Sequence, residues 1–103
     1  MKRFVDYQGR QIRLANERLQ HILEHPEMDS MEQAIPTALI NPEVVKRFRS
    51  DTAVYLYYLY REATRVGDKW LCVVVKYLES DAFVITAYLT GKLKPGEPIW
   101  PNP

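Results

Sequence analysis

From Val44 onward the chain is written almost entirely in strand-forming residues, and that run restricts it to folds built around a sheet. Val44–Arg49, Ala53–Glu62, Lys69–Leu78 and Ala82–Leu89 are rich in β-branched and aromatic side chains. Short breaks separate them at Ser50-Asp51, Arg65-Val66-Gly67-Asp68 and Glu79-Ser80-Asp81. Breaks this short join neighbours that run in opposite directions, so the spacing predicts a four-stranded antiparallel meander. In the last hairpin, a three-residue loop places Leu71, Val73, Val75 and Tyr77 on one face with Phe83, Ile85, Ala87 and Leu89. The other face then carries Trp70, Cys72, Val74 and Lys76 with Val84, Thr86, Tyr88 and Thr90, a mixed surface suited to binding.

The first forty residues have a different texture. Phe4-Val5-Asp6 and Gln11-Ile12-Arg13-Leu14 flank a turn around Gly9, which predicts a hairpin. Ala15, Leu19, Ile22 and Leu23 recur at helical spacing, with Asn16 as the expected N-cap. Pro26 disfavours helical geometry at His25, so this helix ends about there. Ser30 and Gln33 have capping-box spacing for a second helix running to about Ile40, with Pro36 inside it to kink or shorten it. The expected architecture is α+β: an N-terminal β-hairpin and two α-helices packed on a four-stranded antiparallel β-sheet meander. Residues 1–94 read as one domain, and 95–103, with four prolines, as an extended tail.

The chain has 103 residues, enough for one domain, and a net charge of +1, which gives no global pull toward nucleic acid or membrane. Residues 1–41 hold five basic and six acidic groups, an even balance. The lone Cys72 excludes an internal disulfide and a cysteine-only metal site. No run reaches the length of a signal sequence or a membrane span, and a cytoplasmic location without membrane partners is expected.

Both histidines lie in one short stretch, Glu17-Arg18-Leu19-Gln20-His21-Ile22-Leu23-Glu24-His25-Pro26-Glu27. Arg18, His21 and His25 follow the i, i+3, i+7 spacing of one helical face. That stripe suits either phosphoryl-transfer chemistry or plain solvation. His21 and His25 are not read as a zinc pair, because a glutamate does not follow the first histidine and Pro26 breaks the helix. No metal or other cofactor is expected. Thr90-Gly91-Lys92 lacks the earlier glycine and the following helix of a phosphate loop.

The helical stretch, then Val73-Val74-Val75-Lys76, then Thr86-Ala87-Tyr88-Leu89-Thr90, resemble the motifs of the barnase–EndoU–colicin–RelE (BECR) nuclease superfamily, specifically its small phage- and toxin-associated members. Leu19 stands where relatives often carry Trp. The resemblance spans most of residues 11–94. It implies a metal-independent ribonuclease that cleaves RNA by attack of the 2′-hydroxyl, with a cognate inhibitor or partner protein. His21 would then be the acid/base and Arg18 the bidentate phosphate holder. Lys76, Thr86 and Tyr88 would supply charge and hydroxyls, with His25 and Thr90 secondary. Arg47, Arg49 and Arg61 would form an RNA-binding track if their strands are neighbours, or else protect strand edges. The other reading is a non-catalytic RNA- or protein-binding module on the same scaffold. Of Tyr55, Tyr57, Tyr58 and Tyr60, about half belong to the core, and the rest are free to stack on bases.

Overall fold

In a computed structural model, which describes residues 1–101, the sheet has seven strands. They are β1 (Lys2–Val5), β2 (Gln11–Leu14), β3 (Val44–Arg47), β4 (Val54–Thr64), β5 (Gly67–Tyr77), β6 (Ala82–Thr90) and β7 (Glu97–Trp100), in the spatial order β1-β2-β6-β5-β4-β3-β7. Two helices, α1 (Asn16–Leu23) and α2 (Ala34–Ile40), and a 3₁₀ turn at Pro26–Met28 lie between β2 and β3.

The expected four-stranded antiparallel sheet is therefore corrected on two counts. The N-terminal hairpin is part of the sheet: β2 joins β6 in parallel through Arg13 and Phe83, which makes the sheet mixed. At the other edge Glu97–Trp100 pairs antiparallel with β3, so much of the expected tail is a strand. Residues 102 and 103 of that tail lie outside the described residues. Pro98 is tolerated because β7 is an edge strand, where an absent N–H breaks no ladder on the outer side.

Both helices cover one face of the sheet. Leu19 and Ile22 of α1 and Ile35, Ala38 and Leu39 of α2 bury against Val45, Tyr57, Leu71, Val73, Val75 and Ala87. Each such aliphatic side chain contributes roughly 1.5–3 kcal/mol by leaving water. Alternation then sends Leu56, Tyr58, Cys72 and Val74 to the opposite face, where they form a second, smaller cluster. The segment between β6 and β7 crosses this second face: Leu93 packs on the cluster, and the Lys94 N–H donates to the Tyr58 hydroxyl (3.0 Å).

Three local expectations change. The β5–β6 register shifts at Ile85: Val74 faces Thr86, whereas Val75 faces Val84 and Tyr77 faces Ala82. The extra residue is a β-bulge, and it turns Phe83 and Ile85 away from the helices and Ala82 and Val84 toward them. Helix α2 begins at Ala34, not after Ser30. Pro36 has no N–H to give the Glu32 carbonyl, which is bonded instead by Ile35 N–H in 3₁₀ fashion (3.3 Å), so Pro36 falls in the first turn. Asn16 lies inside α1, with Ala15 at the cap position and no side-chain cap bond. The helix stops before His25, which is extended (φ −74°, ψ 119°), as the following proline requires. No helix of the described residues is long and apolar enough to cross a membrane.

Candidate nucleic-acid interface

The sheet separates the residues expected to act together. His21 and His25 project from the helical layer into solvent, with side chains 71% and 70% exposed. Their nearest charged neighbours are Glu24 (3.5 Å) and Glu27 (3.9 Å). Lys76, Thr86 and Tyr88 alternate or pair with Val74 and Cys72, which puts all three on the face away from the helices. Lys76 is paired with Asp51 (3.5 Å). Tyr88 faces Cys72 across the strands, and burial raises its pKa and keeps it protonated. Thr90 is occupied locally, its hydroxyl bonding the Lys92 backbone. Among the described residues His21 lines none of the arginine-bearing cavities, and the sheet lies between it and Lys76, Thr86 and Tyr88.

The strands of the expected arginine track, β3 and β4, are neighbours, but two of its arginines are engaged locally and the third stands apart. Arg47 is held by the Tyr55 hydroxyl and by Glu97, which raise its pKa in that order. Arg49 donates to the Gly96 carbonyl (3.3 Å). Arg61 stands six residues beyond Tyr55, the partner of Arg47, which is roughly 20 Å along β4.

A different basic surface exists, at the end of the sheet where the β1–β2 turn meets the β5–β6 turn. Three cavities there share walls. The first, of about 300 Å³, is lined by Arg3, Arg10, Gln11, Arg13 and the turn residues Glu79, Ser80, Asp81 and Ala82. The second, of about 330 Å³, shares Arg10 and is walled by Tyr7, Tyr55, Tyr57 and Tyr77. The third, of about 240 Å³, shares Arg13 and is lined by Arg18, Phe83 and Ile85. Neighbouring cavities share one arginine each, Arg10 or Arg13, so they form a groove that wraps round this end of the sheet, from the tyrosines on the helix side to Phe83 on the other.

The strand pattern explains the placement. Ile12 and Leu14 point into the core, so Arg13 and its cross-strand partner Arg3 point to the other side. The β2–β6 contact is one residue pair long, after which the chain turns into α1 and brings Arg18 beside the bulged strand. Arg13 makes a bidentate pair with Asp81 (3.0 and 2.8 Å) and stacks over Phe83 (4.9 Å). That pair raises the Arg13 pKa and lowers that of Asp81. Arg10 donates to the carbonyls of Leu78, Glu79 and Asp81 and lies over Tyr77 (5.3 Å). Among the described residues Arg3 and Arg18 have no ion-pair or hydrogen-bond partner, so their guanidinium groups are free for a ligand. Four arginines against Asp6, Glu79 and Asp81 leave the groove with a surplus of one positive charge.

The tyrosine cavity has an ordered floor. Asp6, 3% exposed, accepts the backbone N–H groups of Gln8 and Arg10 at Oδ1 (2.9 Å each) and the Tyr77 hydroxyl at Oδ2 (2.8 Å). The Tyr57 and Tyr77 hydroxyls are 2.5 Å apart. Burial raises the pKa of both, so both remain neutral. Tyr7 and Tyr55 close the walls edge-on, against Tyr57 (5.9 Å, 73°) and Tyr77 (5.0 Å, 83°).

Sequence reasoning missed this groove because the even charge balance of residues 1–41 concealed it. The usable signal was local: between Arg3 and Arg18 four arginines meet only Asp6 and Glu17 as acids, and the Asp6 side chain is buried. No protein-family model matches the chain, nor does any curated protein or solved structure.

Proposed function

We propose that the chain is a non-catalytic RNA-binding module whose groove takes a short single-stranded segment. The observation that carries this reading is the set of three neighbouring cavities linked by shared arginines, with aromatic rings in the outer two. Single-stranded RNA needs that combination: cations for the phosphates, and π-faces or guanidinium planes on which unpaired bases stack. The Arg13–Phe83 and Arg10–Tyr77 stacks hold two guanidinium planes in place before any ligand arrives. The separation of His21 from Lys76, Thr86 and Tyr88 favours binding over cleavage, although the sequence motifs resemble those of nucleases.

The test is fluorescence anisotropy with a labelled eight-nucleotide RNA at low salt, followed by electrophoresis of the same RNA after prolonged incubation. Binding that is weakened several-fold by Arg3→Ala or Arg18→Ala, with the RNA left intact, is expected. Cleavage that His21→Ala abolishes would overturn the non-catalytic reading. Absence of binding at protein concentrations well above micromolar would overturn the RNA reading itself.

A further inference from the structure

The hydrogen-bond polarity of the tyrosine cavity is fixed by its own chemistry. The Asp6 carboxyl group acts as the acceptor in all three of its side-chain bonds, from the Gln8 and Arg10 N–H groups and the Tyr77 hydroxyl. Tyr77 has one hydroxyl hydrogen, and it goes to Asp6 Oδ2 (2.8 Å). The short contact between Tyr77 and Tyr57 (2.5 Å) must therefore use the Tyr57 hydrogen. Both hydroxyl hydrogens of the floor are then spent, and Oδ1 is saturated by the Gln8 and Arg10 backbone N–H groups. Asp6 and Tyr57, both of which line the cavity, keep only lone pairs, on Oδ2 and Oη, for a further bond. An acceptor floor between aromatic walls favours an amino group over a carbonyl at that point, while Gln8 and Arg10 line the same cavity as donors.

Resting on the RNA reading above, we infer that this cavity is a base pocket for cytosine over uracil, the exocyclic amino group of the base meeting the Tyr57–Tyr77–Asp6 floor. Cytosine and uracil are nearly the same size, but cytosine presents N4–H₂ where uracil presents O4. A carboxylate-led acceptor is a suitable partner for the first and leaves the second carbonyl unpaired against lone pairs. The half-buried Tyr7, Tyr55 and Tyr77 rings give the base its apolar faces. The cavity volume of about 330 Å³ lies at the lower end of the range for small-ligand sites. Arg10, common to this cavity and the next, places a cation where the 5′ or 3′ phosphate of that nucleotide leaves the pocket.

The test compares octacytidine with octauridine on the wild type, on Asp6→Asn and on Tyr57→Phe. Wild type is expected to bind octacytidine about ten-fold more tightly. Asp6→Asn keeps the Oδ1 acceptor but turns the second position into a donor. Its amide then donates to Tyr77, Tyr77 donates to Tyr57, and the Tyr57 hydrogen points into the cavity. That variant is expected to lose the cytidine preference or reverse it. Tyr57→Phe removes the floor acceptor without touching Asp6, and it should lower octacytidine binding and narrow the preference over octauridine. Circular dichroism confirms that each variant is folded before it is compared. Equal binding of both oligomers by wild type, or a cytidine preference that survives undiminished in the folded variants, overturns this inference alone. Failure of both oligomers to bind overturns the RNA reading on which it rests.

Discussion

Removing the Tyr77 hydroxyl should cost more stability than removing the Tyr57 hydroxyl, although Tyr57 is the more deeply buried. Tyr77 is the middle link of the chain: it donates to the Asp6 carboxylate and accepts from Tyr57. In Tyr77→Phe the buried carboxylate loses a charge-assisted bond, worth about 1.5–3 kcal/mol, and the Tyr57 hydroxyl loses its acceptor. Water entering the adjoining cavity relieves part of this, which sets the expected loss at about 3 kcal/mol. In a chain of this size that loss lowers Tm by on the order of 15 °C. Tyr57→Phe removes only the outer link and leaves Asp6 fully bonded, for about 1 kcal/mol. In the double variant Tyr57 has no hydroxyl left to orphan, so its loss should not exceed that of Tyr77→Phe. The pair is then strongly non-additive. Urea denaturation followed by circular dichroism measures all three, with an unchanged m-value as the check that the transition is the same. A Tyr77→Phe variant within 0.5 kcal/mol of wild type (about the size of a neutral surface change), or a double variant that shows the plain sum, would refute the reasoning.

Other outcomes follow from single features. Ala63 holds a left-handed backbone (φ 55°) beside the β4–β5 turn. Ala63→Gly should relieve about 1 kcal/mol of that strain, lose part of it to unfolded-state entropy, and leave a net gain of about 0.5 kcal/mol by thermal or urea denaturation. Burial raises the pKa of Tyr57, Tyr58, Tyr77 and Tyr88 above 10, with Tyr58 at about 12. A pKa raised on folding stabilises fully below the unfolded value and is lost as pH rises toward the folded one. Stability should therefore decline above about pH 10, and spectrophotometric titration should show these four ionising late and together with unfolding. His21→Ala should leave both stability and RNA affinity unchanged, since the imidazole meets only the exposed Glu24.

Much of the sheet was legible because strand chemistry is local. Alternation along Leu71–Val75 sorted the core face from the other face, and for the tyrosines of β4 it told only that about half are core. The fold class was still misread, because its two deciding pairings are long-range. Nothing near Arg13 announces a parallel bond to Phe83, and Pro98 in a proline-rich segment argues against the edge strand that forms there. The bulge at Ile85 is equally silent: it satisfies apolar patterning on both sides of the strand, so only pairing with β5 reveals it. At the helix starts, cap-like residues were overruled by the missing N–H of Pro36 and by Asn16 joining the first turn of α1. The site was misplaced for a related reason. Helical spacing can align Arg18 with His21, but it cannot show that the sheet lies between the histidine and the hydroxyls of β6.

The most direct measurement of the central claim is the salt dependence of RNA affinity for wild type and for the Arg3→Ala/Arg18→Ala double variant. A single strand whose phosphates meet the two free arginines of the groove releases counterions, and log K should fall with log salt at a slope of about −1.4. Removing the two unpartnered arginines should reduce the slope by about 1.4 while the fold and the aromatic walls stay intact. A slope that the double variant leaves unchanged would place RNA elsewhere on the molecule and contradict the groove as its binding surface.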